Sequence, residues 1–203
     1  MWSYFFLLLV LVGCFWVAYR SSALKKLTKG VFIILYLFVI TWLVVNLLDF
    51  IYADIIASSA FILALLTALV FLFLTVFELQ PETERYPDLI AFSPMLVYPV
   101  YLFVHHSTAM QELMILLLQG GGLLVLLLLA VHYASADKTG ALNLAGSLVL
   151  TVLFIEYWFI QPPIDWIPEF RNVLFGLSAI SLTYTLPQII NQNKPNYASQ
   201  SPG

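Results

Sequence analysis

VFIILYLFVITWLVVNLLDFIYADIIASSAFILALLTALVFLFLTVF, residues Val31 to Phe77, is an almost unbroken apolar run of 47 residues. As one α-helix it would extend roughly 70 Å at 1.5 Å per residue, more than twice the hydrocarbon thickness of about 30 Å. The run must therefore fold back on itself. Its only polar cluster lies between Asp49 and Ser59, which places the turn there and gives two spans, about Val31–Tyr52 and Ile55–Phe77.

The rest of the chain follows the same composition. Of 203 residues, 62% are hydrophobic and 9% charged, with a mean hydropathy of +0.97. A soluble domain carries about 25% charged residues, so this chain lacks the polar surface to cover itself in water. Eight Lys and Arg against eleven Asp and Glu supply no basic surface for nucleic acid. The fold class expected is an all-α, polytopic membrane bundle with the lipid bilayer as its first partner. Seven spans of about 20 residues use about 140 and leave no room for a folded extramembrane domain.

The first span, about Trp2–Tyr19, is closed by Arg20, Lys25, Lys26 and Lys29. Glu78–Asp88 (ELQPETERYPD), with two prolines and five charges, ends the third. Leu89–His105 is a short fourth span carrying Pro94 and Pro99, and without it the bundle has six crossings. Spans five to seven are about Leu113–Tyr133, Ala141–Ile160 and Asn172–Ile190, the last two separated by the proline-rich QPPIDWIPEFR (Gln161–Arg171). Residues 1–190 form one transmembrane domain and 191–203 a short polar tail.

Seven crossings leave Arg20, Lys25, Lys26, Lys29, Arg85, Lys138 and Lys194 on one side and only Arg171 on the other. Cytoplasmic loops are the positive ones, so the N-terminus is expected outside and the C-terminus in the cytoplasm, with the cytoplasmic (plasma) membrane as the location. Cys14 follows Leu11-Val12-Gly13, a lipoprotein-like pattern, but no base precedes the apolar run and the run continues past it. A plain membrane-buried thiol is the expectation.

This threading sorts the acids. Asp49, Asp54, Glu112, Glu156, Asp165 and Glu169 collect on the outer side with His105 and His106, opposed by Arg171. Such a mouth would concentrate cations. Glu156 and Asp49 sit inside their span ends, where an ionisable residue is a functional candidate, although Glu156 pairing with Arg171 would explain it as well. His105, His106 and Glu112, with Asp54, offer imidazole and carboxylate, but their spacing matches no ligand motif, so no metal or other cofactor is expected.

Small residues mark helix contacts: Ala57, Ala60, Ala64 and Ala68 in the third span, Ala141, Ala145 and Gly146 in the sixth, Gly176 and Ala179 in the seventh. Gly120-Gly121-Gly122 implies either a very close backbone crossing or a bent or broken helix. Ser178, Ser181, Thr185 and Gln188 form a polar stripe on the last span, lining a hydrated path or bonding to helix carbonyls. Its end, TLPQII (Thr185–Ile190), resembles the proline–glutamine turn of the small seven-span PQ-loop transporters. The resemblance covers these six residues once, at the last helix, and carries no functional residue over.

HExxH, GxSxG and Walker signatures are missing. No catalytic residue is assigned. The reading this favours is a non-enzymatic module, an accessory subunit or signal relay that works through another membrane protein. A small-solute or cation permease is the alternative, and an intramembrane hydrolase or lipid transferase using two outer carboxylates and a histidine is the third.

Overall fold

The computed structural model describes residues 2–48, 51–79, 93, 97–101, 107–134, 138–160 and 167–193, and every regular element among them is helical. Six helices are long and apolar enough to cross a membrane: α1 (Trp2–Arg20), α2 (Lys26–Leu47), α3 (Ala53–Leu79), α4 (Thr108–Tyr133), α5 (Lys138–Phe159) and α6 (Ile167–Gln192). At 1.5 Å per residue they measure about 28 to 40 Å, enough for the hydrocarbon layer with some tilt. Of the expected fourth span, the described residues 97–101 are helical and most of the remainder lies outside the described residues. The last helix begins at Ile167, five residues earlier than the expected Asn172. Pro168 suits a first helical turn, where no backbone N–H is required.

The helices pack in ring order, α1 to α6, with α6 closing onto α1 and α3 touching α6 across the middle. Phe32 of α2 stacks on Phe71 of α3 at 4.2 Å, inside a cluster that includes Leu11, Leu43, Leu126 and Leu186, so side chains fill the centre. Cross-contacts give the directions. Trp42–Phe61, Phe32–Phe71 and Lys25–Glu78 pair α2 antiparallel to α3. Glu156–Arg171 and Thr139–Gln188 do the same for α5 and α6. Two seams are parallel. Gly176 of α6 faces Leu7 of α1 just as Asn172 bonds Ser3, and on α3 and α4 the cluster of Ile62 and Leu66 with Met114 and Leu118 is followed by Leu69 against Gly122. α3 and α4 therefore start at the same end of the bundle.

The ends differ in charge. Among the described residues, Arg20, Lys25, Lys26, Lys29 and Lys138 share one end with Glu78, while Asp54, Glu112, Glu156 and Glu169 share the other with Arg171. Glu78 is buried at the basic end, where its carboxylate accepts the backbone N–H of Lys25, the N-cap residue of α2, at 3.1 Å. A carboxylate suits a helix N-terminus, whose first N–H groups lack helical partners. Glu78→Ala is expected to destabilise the protein by about 1 kcal/mol, comparable to losing an N-cap. Unfolding in detergent, followed by circular dichroism, measures it.

Small residues act as expected on α3, where Ala57, Ala60 and Ala64 are buried. On α5 the expectation fails in part: Ala141 and Ala145 are exposed, and Gly146 alone of the three is at a contact. Ala141 and Ala145 lie four apart on one face, and Gly146 falls about 100° away beside Asn143. The glycine run is also corrected. α4 passes through Gly120, Gly121 and Gly122 unbroken, and the nearest neighbours are side chains, Phe154 at Gly120 and Leu69 at Gly122.

Candidate functional site

α5 and α6 form a hairpin joined by polar side chains along its length. At the acidic end, Glu156 points inward from the last turn of α5, and Arg171 reaches it from the second turn of α6. The guanidinium donates twice, Nε to Oε2 at 2.9 Å and Nη2 to Oε1 at 2.7 Å. Both carboxylate oxygens are engaged by a planar fork, the geometry in which arginine binds a carboxylate most specifically. The guanidinium carbon also lies 5.8 Å from the Tyr157 ring. One residue further on, Asn172 donates to Ser3 of α1, and Trp158 donates its indole N–H to Gln119 of α4 at 2.7 Å. The acidic end of α6 is thus bonded to α5 and α1, and α5 to α4.

Deeper in the hairpin lies the stripe of α6. Ser181 donates across the interface to the Leu142 carbonyl at 2.7 Å, and Ser178 donates back to Leu174 at 2.9 Å. Thr185 has the Ser181 carbonyl at 2.8 Å and Asn143 Oδ1 at 3.2 Å, and Gln188 accepts from Thr139 at 3.4 Å. Ser178, Ser181 and Thr185 are buried, and Gln188 is partly so. Every one of the four therefore bonds within α6 or onto α5.

Asn143 is fully enclosed at 0% exposure, and its Nδ2 has no partner among the described residues. Thr185 carries a single hydroxyl proton. If that proton goes to Ser181, the amide must present N–H to Thr185 and its oxygen is left over instead. Either way one end of a buried amide is unpaired. The stripe continues on a second face of α6: Thr183 meets the Tyr36 hydroxyl of α2, and Cys14 of α1 lies against both. Pro187, four residues after Thr183, has no N–H for the Thr183 carbonyl.

Of the other candidates, two lie among the described residues. Asp54, in the first turn of α3, and Glu112, on α4, are exposed. Asp49, His105 and His106 lie outside the described residues. Among the described residues no group of three His, Cys, Asp or Glu side chains converges on one point. What the sequence reading missed is Tyr36, Glu78, Gln119, Asn143 and Thr183. A signal existed for two of them: Asn143 and Ser147 are polar residues one turn apart in an apolar run, and Thr183 precedes Pro187 by one turn.

Compared with protein-family models, with curated proteins and with solved structures, the chain matches none of them.

Proposed function

We propose that this chain is a non-enzymatic, multi-pass membrane module, an accessory subunit or signal relay that binds another membrane protein through the outward face of α4. The observation that carries the reading is Gly121. A Cβ placed there meets nothing within 4 Å, so no contact among the described residues uses the missing side chain. Glycine costs about 1 kcal/mol of helix propensity relative to alanine. Small residues in membrane helices let a second backbone approach, and that approach is what Gly121 offers. Around it, Met110, Leu117, Leu124 and Val131 recur every seventh residue, with Leu113 and Leu128 between them, all exposed. A seven-residue apolar repeat is the pattern of a left-handed helix pair.

The cation permease is supported less well. It needs a free carboxylate on a hydrated path, whereas Glu156 is held by Arg171 and the middle of the ring is packed. Among the described residues no group of three His, Cys, Asp or Glu side chains supports a catalytic role. The threading proposed is seven crossings, N-terminus outside, in the plasma membrane. It is supported by the parallel pair α3 and α4, since the chain that leaves α3 at the basic end must enter α4 from the acidic end. The charge difference between the ends supports the orientation.

Gly121→Leu tests the partner. It is expected to reduce a stoichiometric partner recovered with the purified chain by at least about tenfold, the loss that 1.4 kcal/mol of packing corresponds to. The stability of the chain alone should not fall, and should rise by no more than the helix propensity gained, about 1 kcal/mol. A photo-crosslinker at Leu124 should capture that partner, and one at Leu142 of α5 should not. Equal capture from both positions, or undiminished recovery with Gly121→Leu, would overturn the reading.

A further inference from the structure

We propose that the basic end of the α1–α2 hairpin is a binding site for one anionic phospholipid, its phosphate held by Arg20 and Lys29 and one acyl chain laid along α1. Four bases, Arg20, Lys25, Lys26 and Lys29, fall within ten residues, and no Asp or Glu occurs before Asp49. Among the described residues the acid at this end is Glu78, which is buried and accepts the Lys25 backbone N–H.

The cations are placed. Trp16 and Tyr19 stack at 6.2 Å between ring centroids and are 52% and 56% exposed. The Arg20 guanidinium lies over Trp16 at 4.7 Å, and the Lys29 ammonium, reaching across from α2, lies over Tyr19 at 5.7 Å. Two cations from two helices therefore rest on one exposed aromatic shelf. Aromatic faces fix a cation without neutralising its charge, which leaves both able to meet a phosphate. Tryptophan and tyrosine prefer the headgroup level of a bilayer, which is the depth of a lipid phosphate.

The shelf continues into an apolar track. Positions 5, 9, 12 and 16 share one helical face, and Phe5, Leu9 and Val12 are all exposed on it. From Trp16 to Phe5 is eleven residues, about 16 Å, close to the depth of one leaflet in a layer of about 30 Å. On both helices a glycine, Gly13 and Gly30, leaves open space above its backbone. Cations at the end of a leaflet-length apolar track fit a phospholipid and not a free phosphate. The inference rests on the bundle lying in a bilayer and is independent of what α4 binds.

The test is native mass spectrometry of the full chain titrated with phosphatidylglycerol or phosphatidylcholine. Phosphatidylglycerol is expected to bind more tightly, and Arg20→Gln with Lys29→Gln should weaken it about fivefold for each cation removed while leaving phosphatidylcholine unchanged. Trp16→Leu with Tyr19→Leu keeps every charge and should still weaken phosphatidylglycerol about threefold. Soluble glycerol phosphate should not compete. The proposal is overturned if both double variants keep the wild-type preference, or if Lys25→Gln with Lys26→Gln loses as much as Arg20→Gln with Lys29→Gln. Equal binding of the two lipids by the wild-type chain counts against this site alone. A chain that takes up neither counts against the membrane reading beneath it.

Discussion

Replacing Arg171 with alanine is expected to destabilise the protein by about 3 kcal/mol, the low end for stripping the partner from a buried carboxylate. Glu156 keeps only 9% of its side chain exposed, whereas Arg171 keeps 30%, so the two halves of the pair are unequal. Without the guanidinium, Glu156 is left facing α6 with neither water nor a donor. Without the carboxylate, the arginine can still extend its head to water along its own stem. Glu156→Gln should therefore cost about 1 kcal/mol, no more than an ordinary hydrogen bond. Combining it with Arg171→Gln should recover most of what Arg171→Ala loses. Denaturant unfolding of the purified chain in one detergent, followed by circular dichroism, ranks the three. The same variants separate a structural pair from an ion site. If Glu156 carried a cation, Glu156→Gln would abolish uptake into vesicles at unchanged stability. The bidentate geometry leads to the opposite expectation: a measurable loss of stability and no uptake to abolish.

The all-helical class and the approximate places of six long apolar helices could be read from hydropathy, because length and apolarity are the requirements a bilayer imposes. The Val31–Phe77 run divides between α2, which ends at Leu47, and α3, which starts at Ala53, as its length demands, whereas the expected connector Gln161–Arg171 gives its last five residues to α6. The faces of the helices could not be read in that way. In a soluble helix one side is wet and the other dry, so the period of the pattern points to the core. In a bilayer both sides are apolar. Leu113, which faces outward, and Leu126, which is buried, belong to the same helix and have the same chemistry. Ala141 looked like a contact and faces outward for that reason. Ala57 and Ala60 looked the same and are buried.

Polar residues were the better guide to packing, since each one inside the membrane needs a partner. Ser178, Ser181, Thr185 and Gln188 were legible as one stripe because they share a face of one helix. Their partners were not, because Leu142, Asn143 and Thr139 lie some 40 to 50 residues away in the chain. Glu78 shows the reverse failure. It reads as one of five charges in a loop, yet it is buried against the start of α2. Nothing local distinguishes it from Glu82 or Glu84.

Gly146→Val is expected to be the second most damaging substitution, at about 3 kcal/mol, combining an overpacked contact of roughly 1–3 kcal/mol with about 0.6 kcal/mol for each interhelical hydrogen bond broken. A Cβ at position 146 would lie 2.8 Å from Ser181 Oγ and 3.0 Å from Ser181 Cβ. Rotating the serine hydroxyl relieves the first contact but not the second, since Cβ moves only with the backbone. The helices must separate, and the Ser181 bond to the Leu142 carbonyl, 2.7 Å long, breaks with them. Thr185 and Asn143, one turn further along, lose their contact as well. The clash and the hydrogen bond can be told apart. Ser181→Gly in the Gly146→Val background removes both Oγ and Cβ, so it should restore the overpacking component and leave only the lost hydrogen bonds. Gly121→Val is the control, because a Cβ added there meets nothing within 4 Å. It should change stability by no more than about 0.5 kcal/mol. Equal and slightly stabilising changes at positions 121 and 146 would mean that glycine tunes helix propensity alone, and that the close approach of α5 to α6 does not hold the hairpin.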